Sequence, residues 1–327
     1  MNASLNQHRR EPFWDVLKGI LIYLVVLGHF VQYGTTGDFW QHPLFRGIYI
    51  FHMPLFILVS GYFGVHTLSR PLGMFLRKMG LHLLLPIAVF YLCQLIILAL
   101  YTPGYSLMQC FRGMWFLWVL LGCHVAAKFI HGIPGWGNRV LGGVTVWVLA
   151  CLLHEVAVPH AAYFVFLWPF YILGYCMRQW CFIFYKRHCL LLLFLPLYLL
   201  AFYIFRPEWF IYRTPLTLSH PGNSLSIYFI RLACGMIACA AVLTSVHLLV
   251  SYGMKWKWLR CIGQHTLFIY VSQSVFFLWL IYSGSLIQTH NAGALILCAI
   301  LLTLFLCGCA LVTSLLRLRG KRKVTEA

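Results

Sequence analysis

The sequence is poor in charged residues, and in acidic residues above all. Only 9% of its 327 residues are Asp, Glu, Lys or Arg, and Asp and Glu together number 6, whereas 62% are hydrophobic. A soluble domain carries roughly a quarter charged residues, so this chain lacks the polar surface that such a domain needs in water. The shortage of charge excludes an ordinary soluble fold and predicts an all-α, polytopic membrane protein.

The sequence also lacks the residue spacing of a metal site. None of its 13 cysteines forms a Cys-x2-Cys pair, and most lie in apolar runs, where cysteine behaves as a small hydrophobic residue. The outer-loop stretch HEVAVPH, residues 154–160, has two histidines and a glutamate without a recognised ligand spacing. We therefore expect no metal and no permanently bound cofactor.

Apolar segments follow one another along the whole chain. A helix needs about 20 apolar residues to cross a bilayer, and we expect about ten spans in a single membrane domain, residues 1–327. Pro86, Pro169 and Pro196 interrupt some of these segments. The segments are centred on 17–33, 47–65, 81–101, 113–130, 140–158, 161–177, 189–205, 225–250, 262–282 and 292–316.

Lys and Arg residues are distributed unevenly between the predicted loops. If the N-terminus is cytoplasmic and the spans alternate, most of the 24 Lys and Arg residues fall on the cytoplasmic side. We therefore expect both termini in the cytoplasm, with an N-terminal segment at 1–13 and a basic tail at 317–327. This bias explains most of the net charge of +18 without a nucleic-acid partner. The exceptions in outside loops are Arg46, Arg112, Arg206 and Arg213.

Three ionisable residues interrupt the first apolar segment, DVLKGILIYLVVLGHF at 15–30. At about 100° per residue, Lys18 and His29 lie about 20° apart around a helix and roughly 16 Å apart along it. Asp15 lies about 40° from His29, and its spacing from Lys18 allows an ion pair. Ionisable groups inside a membrane usually face a cavity or a partner. This stripe is compatible with transport, proton relay or catalysis; the alternative is two interfacial charges and a histidine satisfied in the interior.

Five blocks of sequence resemble the acyltransferase-3 family of integral membrane O-acyltransferases, most closely its branch of fucose 4-O-acetylases and related sugar acetyltransferases. In order they are FWDVLKGILIYLVVLGHF (13–30), IYIFHMPLFILVSGYFG (48–64), MWFLWVLLG (114–122), FYILGYCMR (170–178) and IGQHTLFIYV (262–271). The resemblance implies ten or so helices and transfer of an acyl group, usually acetyl from cytoplasmic acetyl-CoA, to hydroxyls of cell-envelope glycans or lipid-linked sugars. It also implies a multi-pass protein of a bacterial cytoplasmic membrane.

The first helix of the family carries a basic residue and a histidine with ten residues between them, and Lys18 and His29 match this spacing. Well-known members have arginine at the first position. Lysine keeps the charge but lacks the planar fork that binds a carboxylate or phosphate in bidentate fashion. Many members also have a histidine near Gln273, and a role for that histidine does not carry over to this chain.

The chemistry that the resemblance implies gives the polar stripe candidate roles. Transfer of an acyl group to a hydroxyl needs a base, and the imidazole of histidine suits this role near neutral pH. We expect His29 to take the proton of the acceptor hydroxyl; carrying the acetyl group itself is the less favoured option. Asp15 and Lys18 would shape the cytoplasmic half of the active site, with Lys18 contacting CoA or pairing with Asp15.

Candidate donor and acceptor residues lie elsewhere in the chain. CoA carries phosphates, so a cationic cytoplasmic entry is expected, although positive-inside bias alone would also explain each cation. The donor candidates are Arg70, Arg77, Lys78 and Arg178. The acceptor-side candidates are His52, Ser60, Trp115 and Arg231. The structural alternatives for the first three are an interfacial histidine, a packing serine and an interfacial tryptophan, whereas Arg231 is expected to face the cavity or to form an ion pair.

Two rival functions remain open at this stage. A transporter or flippase for a polar solute could use His29 and Arg231 as a relay, but such proteins commonly show repeated halves, and the sequence shows none. A non-catalytic partner of a polysaccharide assembly system would need neither residue. In that case replacing His29 would leave acylation unchanged.

Overall fold

The computed structural model describes residues 11–102, 113–181, 183–219, 221–253, 256–286 and 288–325. Residues 1–10 of the predicted N-terminal segment and 326–327 of the predicted tail lie outside them. The α-helices are α1 (Pro12–Gly34), α2 (Pro43–Tyr49), α3 (His52–Leu68), α4 (Leu72–Met79), α5 (Leu85–Tyr101), α6 (Trp115–Gly132), α7 (Trp136–Glu155), α8 (Ala161–Gln179), α9 (Leu191–Ile204), α10 (Pro221–Ser251), α11 (Lys257–Gln264), α12 (Thr266–Tyr282) and α13 (Ala292–Thr325).

The described residues form an all-helical protein, and each of the ten predicted apolar segments contains a helix. Between these residues the β-structure is limited to one isolated bridge, Thr35 to Thr289. Seven helical stretches in this part of the chain are long and apolar enough to cross a membrane, and the pair α11–α12, bent by 74°, makes eight. These helices confirm a multi-pass membrane architecture. The count of ten spans and the cytoplasmic termini remain predictions.

Successive helices run up and down, so that the bundle has two ends with different chemistry. The first end, here called the N-terminal face, holds the start of α1 and the ends of α3, α6 and α8. There the Lys128 ammonium on α6 donates to the carbonyls of Leu68 and Arg70, both at 2.6 Å. The other end, here called the cavity face, holds the end of α1 and the starts of α3, α6 and α8. A backbone bond from Thr289 to the Gly34 carbonyl at 2.8 Å joins α1 there to the segment after α12.

Two helix crossings are close because each partner presents a glycine. A methyl group on Gly61 of α3 would collide with the carbonyl oxygen of Tyr171, and one on Gly174 of α8 would collide with that of Leu58. Gly19 of α1 and Gly263 of α11 show the same reciprocal contact at the N-terminal face. Small residues let membrane helices approach until their backbones touch. These crossings fix α3 relative to α8 and α1 relative to α11.

Candidate active site

A cavity of about 610 Å³ opens between α1, α3, α5, α8 and α12 at the cavity face. Its walls are mainly aromatic, and among the described residues no Asp or Glu lines it. The volume falls within the range of small-molecule sites, which combine apolar walls with a few placed polar groups. Its aromatic lining includes Tyr33, Trp40, Tyr49, Trp115, Tyr163, Tyr212, Tyr270 and Tyr282.

His29 lies in the wall of this cavity, on the last third of α1. Its ring packs 5.5 Å from the ring of Phe277 and 6.0 Å, nearly parallel, from that of Tyr33. Its Nδ1 lies 2.8 Å from Oε1 of Gln273 on α12. The histidine is therefore held in one orientation from both sides, and part of its ring faces the cavity.

The hydrogen bonds of Gln273 determine which nitrogen of His29 carries the proton. Gln273 is fully buried, and its amide nitrogen donates to the Tyr270 carbonyl at 3.1 Å and to the Ser274 hydroxyl at 2.8 Å. A carbonyl can only accept, and the Ser274 proton is already given to the same Tyr270 carbonyl at 2.8 Å. The amide oxygen must therefore face His29 and accept from Nδ1–H. In the neutral imidazole this leaves the lone pair on Nε2, which is the tautomer that a general base facing the cavity needs.

His52 is the second histidine of the cavity wall. It is buried at the start of α3, its Nδ1 bonds to the Ile48 carbonyl at 2.9 Å, and its ring packs 4.5 Å from that of Tyr49. The bond to a carbonyl again assigns the proton to Nδ1 and the lone pair to Nε2. Two imidazoles thus contribute to one cavity, each with Nδ1–H bound to an oxygen, and His29 is the more exposed of the two.

The segment between α9 and α10 closes one side of the cavity with Tyr212. This residue lies 5.9 Å from the ring of Trp115 and 6.1 Å from that of Tyr49. Burial, followed by the nearby Tyr49, raises the pKa of the Tyr212 phenol well above its ordinary value. The hydroxyl therefore stays protonated at physiological pH and remains a hydrogen-bond donor.

Comparison with known proteins identifies the family. Residues 11–313 match the acyltransferase-3 family, which is described as an acyltransferase domain. The chain belongs to this family. The blocks that suggested the resemblance are thereby confirmed at the level of the family, whereas the fucose 4-O-acetylase branch remains a prediction.

Two relatives come from rhizobia. Nodulation protein NolL of Sinorhizobium fredii is 31% identical over 195 residues, which cover 54% of this chain and 51% of that protein. Nodulation protein NolL of Mesorhizobium japonicum is 30% identical over 194 residues, which cover 53% and 49%. The chain thus spans about half the length of the curated relatives it matches. No solved structure matches it.

The two other members of the polar stripe lie at the opposite end of α1 from the cavity. The Lys18 ammonium forms the ion pair with Asp15 that their spacing allows, at 2.8 Å, and lies 6.0 Å from the centre of the Phe63 ring. Asp15 is buried and also accepts from the Gln264 amide at 3.3 Å. In this acyltransferase-3 protein the stripe therefore joins a charged site at the N-terminal face to His29 at the cavity.

Three of the four predicted donor residues gather around the end of α3. The Lys78 ammonium donates to the Thr67 hydroxyl at 2.6 Å, and Arg178 donates to the Tyr62 hydroxyl at 3.3 Å and lies 3.1 Å from His66 Nε2. Arg70 is exposed next to them, while Arg77 is exposed on α4. The end of a helix attracts cations because its carbonyls point outward. Lys128 belongs to this group as well, and the sequence did not single it out because its partners are backbone carbonyls distant in the chain.

The acceptor-side candidates have different locations. Trp115 lines the cavity, with its ring 4.7 Å from that of Tyr163. Ser60 does not line it: its hydroxyl donates to the Phe56 carbonyl one turn back at 2.8 Å. Arg231 lies in a small adjoining pocket. Within the described residues no group of three His, Cys, Asp or Glu side chains could hold a metal ion.

Gln273 and the cavity tyrosines are the site residues that sequence reasoning did not assign. Of these, Gln273 is the one that the sequence marks, since it lies with Ser272 and Ser274 in a short polar break of the apolar helix α12 and stands near the position where many family members have histidine. The tyrosines come from separate segments whose meeting depends on the tertiary fold. A high aromatic content is their only trace in the sequence.

Proposed function

We propose that this protein is a membrane O-acyltransferase that moves an acetyl group from cytoplasmic acetyl-CoA to a hydroxyl of a cell-envelope glycan or lipid-linked sugar, in a bacterial cytoplasmic membrane. The observation that carries the proposal is the hydrogen bond between His29 Nδ1 and the fixed oxygen of Gln273. This bond holds Nδ1–H, so that in the neutral imidazole Nε2 is the free base, and the cavity contains no carboxylate among its described residues. Family membership supports the acyl transfer.

In the proposed reaction His29 acts as the general base. Its Nε2 takes the proton of the acceptor hydroxyl while the hydroxyl oxygen attacks the thioester carbonyl carbon. The tetrahedral intermediate then collapses, the carbon–sulfur bond breaks, and the CoA thiolate leaves with the proton that Nε2 held. Gln273 stabilises the imidazolium in between, because its amide oxygen accepts from Nδ1–H throughout.

The aromatic walls would hold the acceptor. Sugar rings have apolar faces and polar edges, and the flat faces of Trp115 and Tyr163 with the hydroxyls of the neighbouring tyrosines match both. The neutral Tyr212 hydroxyl is one such donor. An acceptor bound here would bring one hydroxyl to His29 from the cavity face.

The donor would reach His29 from the N-terminal face. Lys78, Lys128, Arg178 and Lys18 concentrate positive charge there, which suits the phosphates of CoA. The pantetheine arm is long and ends in the thioester. It would extend along the Lys18–His29 stripe of α1, so that donor and acceptor approach the same imidazole from opposite ends.

The test compares O-acetylation of envelope glycans, by mass spectrometry, in wild-type cells, deletion cells and deletion cells that express His29→Ala. We expect loss of O-acetyl groups in the deletion strain and failure of His29→Ala to restore them at matched membrane abundance. Normal acetyl content in both strains would contradict the proposal and would favour a transporter or a non-catalytic assembly partner.

A further inference from the structure

Arg231 is a buried cation without an acidic partner among the described residues. Only 4% of its surface is exposed, and it lies well inside α10, a helix long and apolar enough to cross the membrane. The only ion pair between described side chains joins Lys18 to Asp15, at the N-terminal face. Ionisable groups at such depth are costly and generally pair with another group or line a pathway.

The protein satisfies the Arg231 guanidinium only in part. Nη1 donates to the Thr214 carbonyl at 2.9 Å, while Nε is buried without a partner. The rings of Phe166 and Tyr228, centred 4.7 Å and 5.9 Å away, stabilise the charge through their π faces. Neither ring forms a hydrogen bond with the guanidinium, whose hydrogen-bond partner among the described residues is the Thr214 carbonyl.

The side chain lines a pocket of about 30 Å³ that adjoins the large cavity. The two share wall residues, among them Tyr49, His52 and Tyr212. The free side of the planar guanidinium in this small pocket suits a planar carboxylate better than a phosphate diester, which extends from its centre in four directions.

We propose that Arg231 forms an anion subsite that binds a carboxylate on the acceptor, so that the acceptor is an acidic sugar or carries an acidic substituent. This inference rests on the proposed function, which makes the bound ligand the acceptor of the acyl group. A carboxylate in the small pocket would complete the guanidinium fork in bidentate fashion. The ring that bears it would then lie in the large cavity, whose walls include His29 and His52.

The test measures binding of two matched probes, D-galacturonate and D-galactose, to the purified full-length protein in detergent without acyl-CoA. Trp115 and Trp209 line the small pocket, so tryptophan fluorescence reports on its occupancy. A charge-assisted hydrogen-bond pair favours the carboxylate by about 10- to 100-fold in affinity. We expect the wild-type protein to bind galacturonate tighter than galactose by a factor in that range, Arg231→Gln to lose the preference, and Arg231→Lys to keep part of it.

Three results would overturn the inference. They are equal binding of both sugars by the wild-type protein, retention of the preference in Arg231→Gln, and tighter binding of inorganic phosphate than of galacturonate at the same pocket. The wild-type comparison needs no variant, so a folding defect in Arg231→Gln does not remove the test. Because no acyl donor is present, a negative result here leaves acyl transfer standing, and loss of the acyltransferase proposal leaves this binding measurement interpretable.

Discussion

The contact between His29 and Gln273 joins residues 244 positions apart in the chain. It places a proton on Nδ1 of the imidazole, because two hydrogen bonds of the Gln273 amide nitrogen and one of the Ser274 hydroxyl fix the orientation of the amide. Gln273 touches the base and lies outside the cavity wall. It is therefore a positioning residue, and its effect on the reaction should pass through His29.

Replacing Gln273 by leucine should lower kcat more than it changes KM for the acceptor. General bases contribute about 10²- to 10⁴-fold to rate. An imidazole that is free to rotate or to change tautomer loses part of this rate enhancement. We therefore expect kcat to fall by about 10- to 100-fold. Gln273→Glu keeps an acceptor oxygen and should retain more activity. Steady-state kinetics on purified protein measure both variants.

The control is Thr244→Val, another exchange of a buried polar side chain for an apolar one. Thr244 is fully buried and its hydroxyl bonds only within its own helix, to the Ala240 carbonyl. Its kinetics should stay close to wild type. If Gln273→Leu matched this control, the assigned role of Gln273 would be wrong.

Replacing Lys18 by arginine should preserve acyl transfer, whereas replacing it by glutamine should weaken it. The charge of Lys18 is shared with Asp15, and if its role toward CoA is electrostatic, Lys18→Arg preserves it. Lys18→Gln removes a charge-assisted contact, which corresponds to about a 10- to 100-fold loss in kcat/KM for the acyl-CoA. Equal loss in both variants, measured at varied acyl-CoA concentration, would show that size rather than charge matters at this position.

At the scale of single residues, the sequence shows which side chains have unusual chemistry for an apolar helix. It does not show which other side chains they contact. Asp15, Lys18 and His29 are visible because polar groups in an apolar helix are costly, and their stripe follows from helical geometry. Gln273 is visible as a polar residue, but its partner depends on how α12 packs against α1. The partners of Arg231, which are a loop carbonyl and two rings, cannot be inferred from any spacing.

At the scale of elements, two of the blocks that carry the family resemblance turn out to be one structural unit. Gly61 of SGYFG in α3 packs against the Tyr171 carbonyl of α8, and Gly174 of FYILGYCMR in α8 packs against the Leu58 carbonyl of α3. The crossing sets the position of α3, whose first residue is His52. The last turns of α3 contact Lys78, Lys128 and Arg178. The glycines therefore connect helix packing to both ends of the proposed site.

Gly174→Ala should destabilise the protein and lower its yield in detergent. The added methyl group would meet the Leu58 carbonyl, which is backbone and cannot move aside as a side chain can. Overpacking of this kind costs about 1–3 kcal/mol. A thermal unfolding series in detergent should show a lower midpoint for Gly174→Ala.

Gly308→Ala in α13 is the matched control, because nothing lies within 4 Å of the position of its methyl group. This exchange should leave the midpoint unchanged or raise it slightly, since alanine restricts the unfolded chain. Equal midpoints for the two variants would contradict the account of the α3–α8 crossing.

The helices themselves could be located from the sequence, but their interruptions could not. Apolar length predicts a helix in each of the ten segments, and each of them contains one; the length that a bilayer demands is met by seven helical stretches of the described residues, or eight with the bent pair α11–α12. The 74° bend between α11 and α12 has no proline or glycine at its centre, which is His265. It arises from packing, since α11 contacts the start of α1 while α12 follows the end of α1 to the cavity.

At the scale of the whole molecule, charge and aromatic side chains separate to opposite ends. Cations gather at the N-terminal face, whereas the tyrosine-rich cavity lies at the other face. The positive-inside rule then predicts that the N-terminal face is cytoplasmic. Acyl-CoA and acceptor would in that case arrive from different compartments.

This orientation predicts the labelling of exposed thiols by a membrane-impermeant reagent. Cys181 and Cys189 are exposed in the segment after α8, at the N-terminal face. They should react in inside-out vesicles and stay unlabelled in right-side-out vesicles, as read by mass spectrometry of the peptides. Ser285→Cys, after α12 at the cavity face, should show the reverse pattern. Labelling of all three positions from one side would contradict the arrangement.

The central claim is that His29 is the base for acyl transfer. The most direct test measures the release of CoA from acetyl-CoA by the purified protein in lipid vesicles, with and without acceptor glycan. The account predicts acceptor-dependent release by the wild-type protein and by Thr244→Val, and a rate at least about 100-fold lower for His29→Ala. Acceptor-dependent release by His29→Ala at the wild-type rate would contradict it.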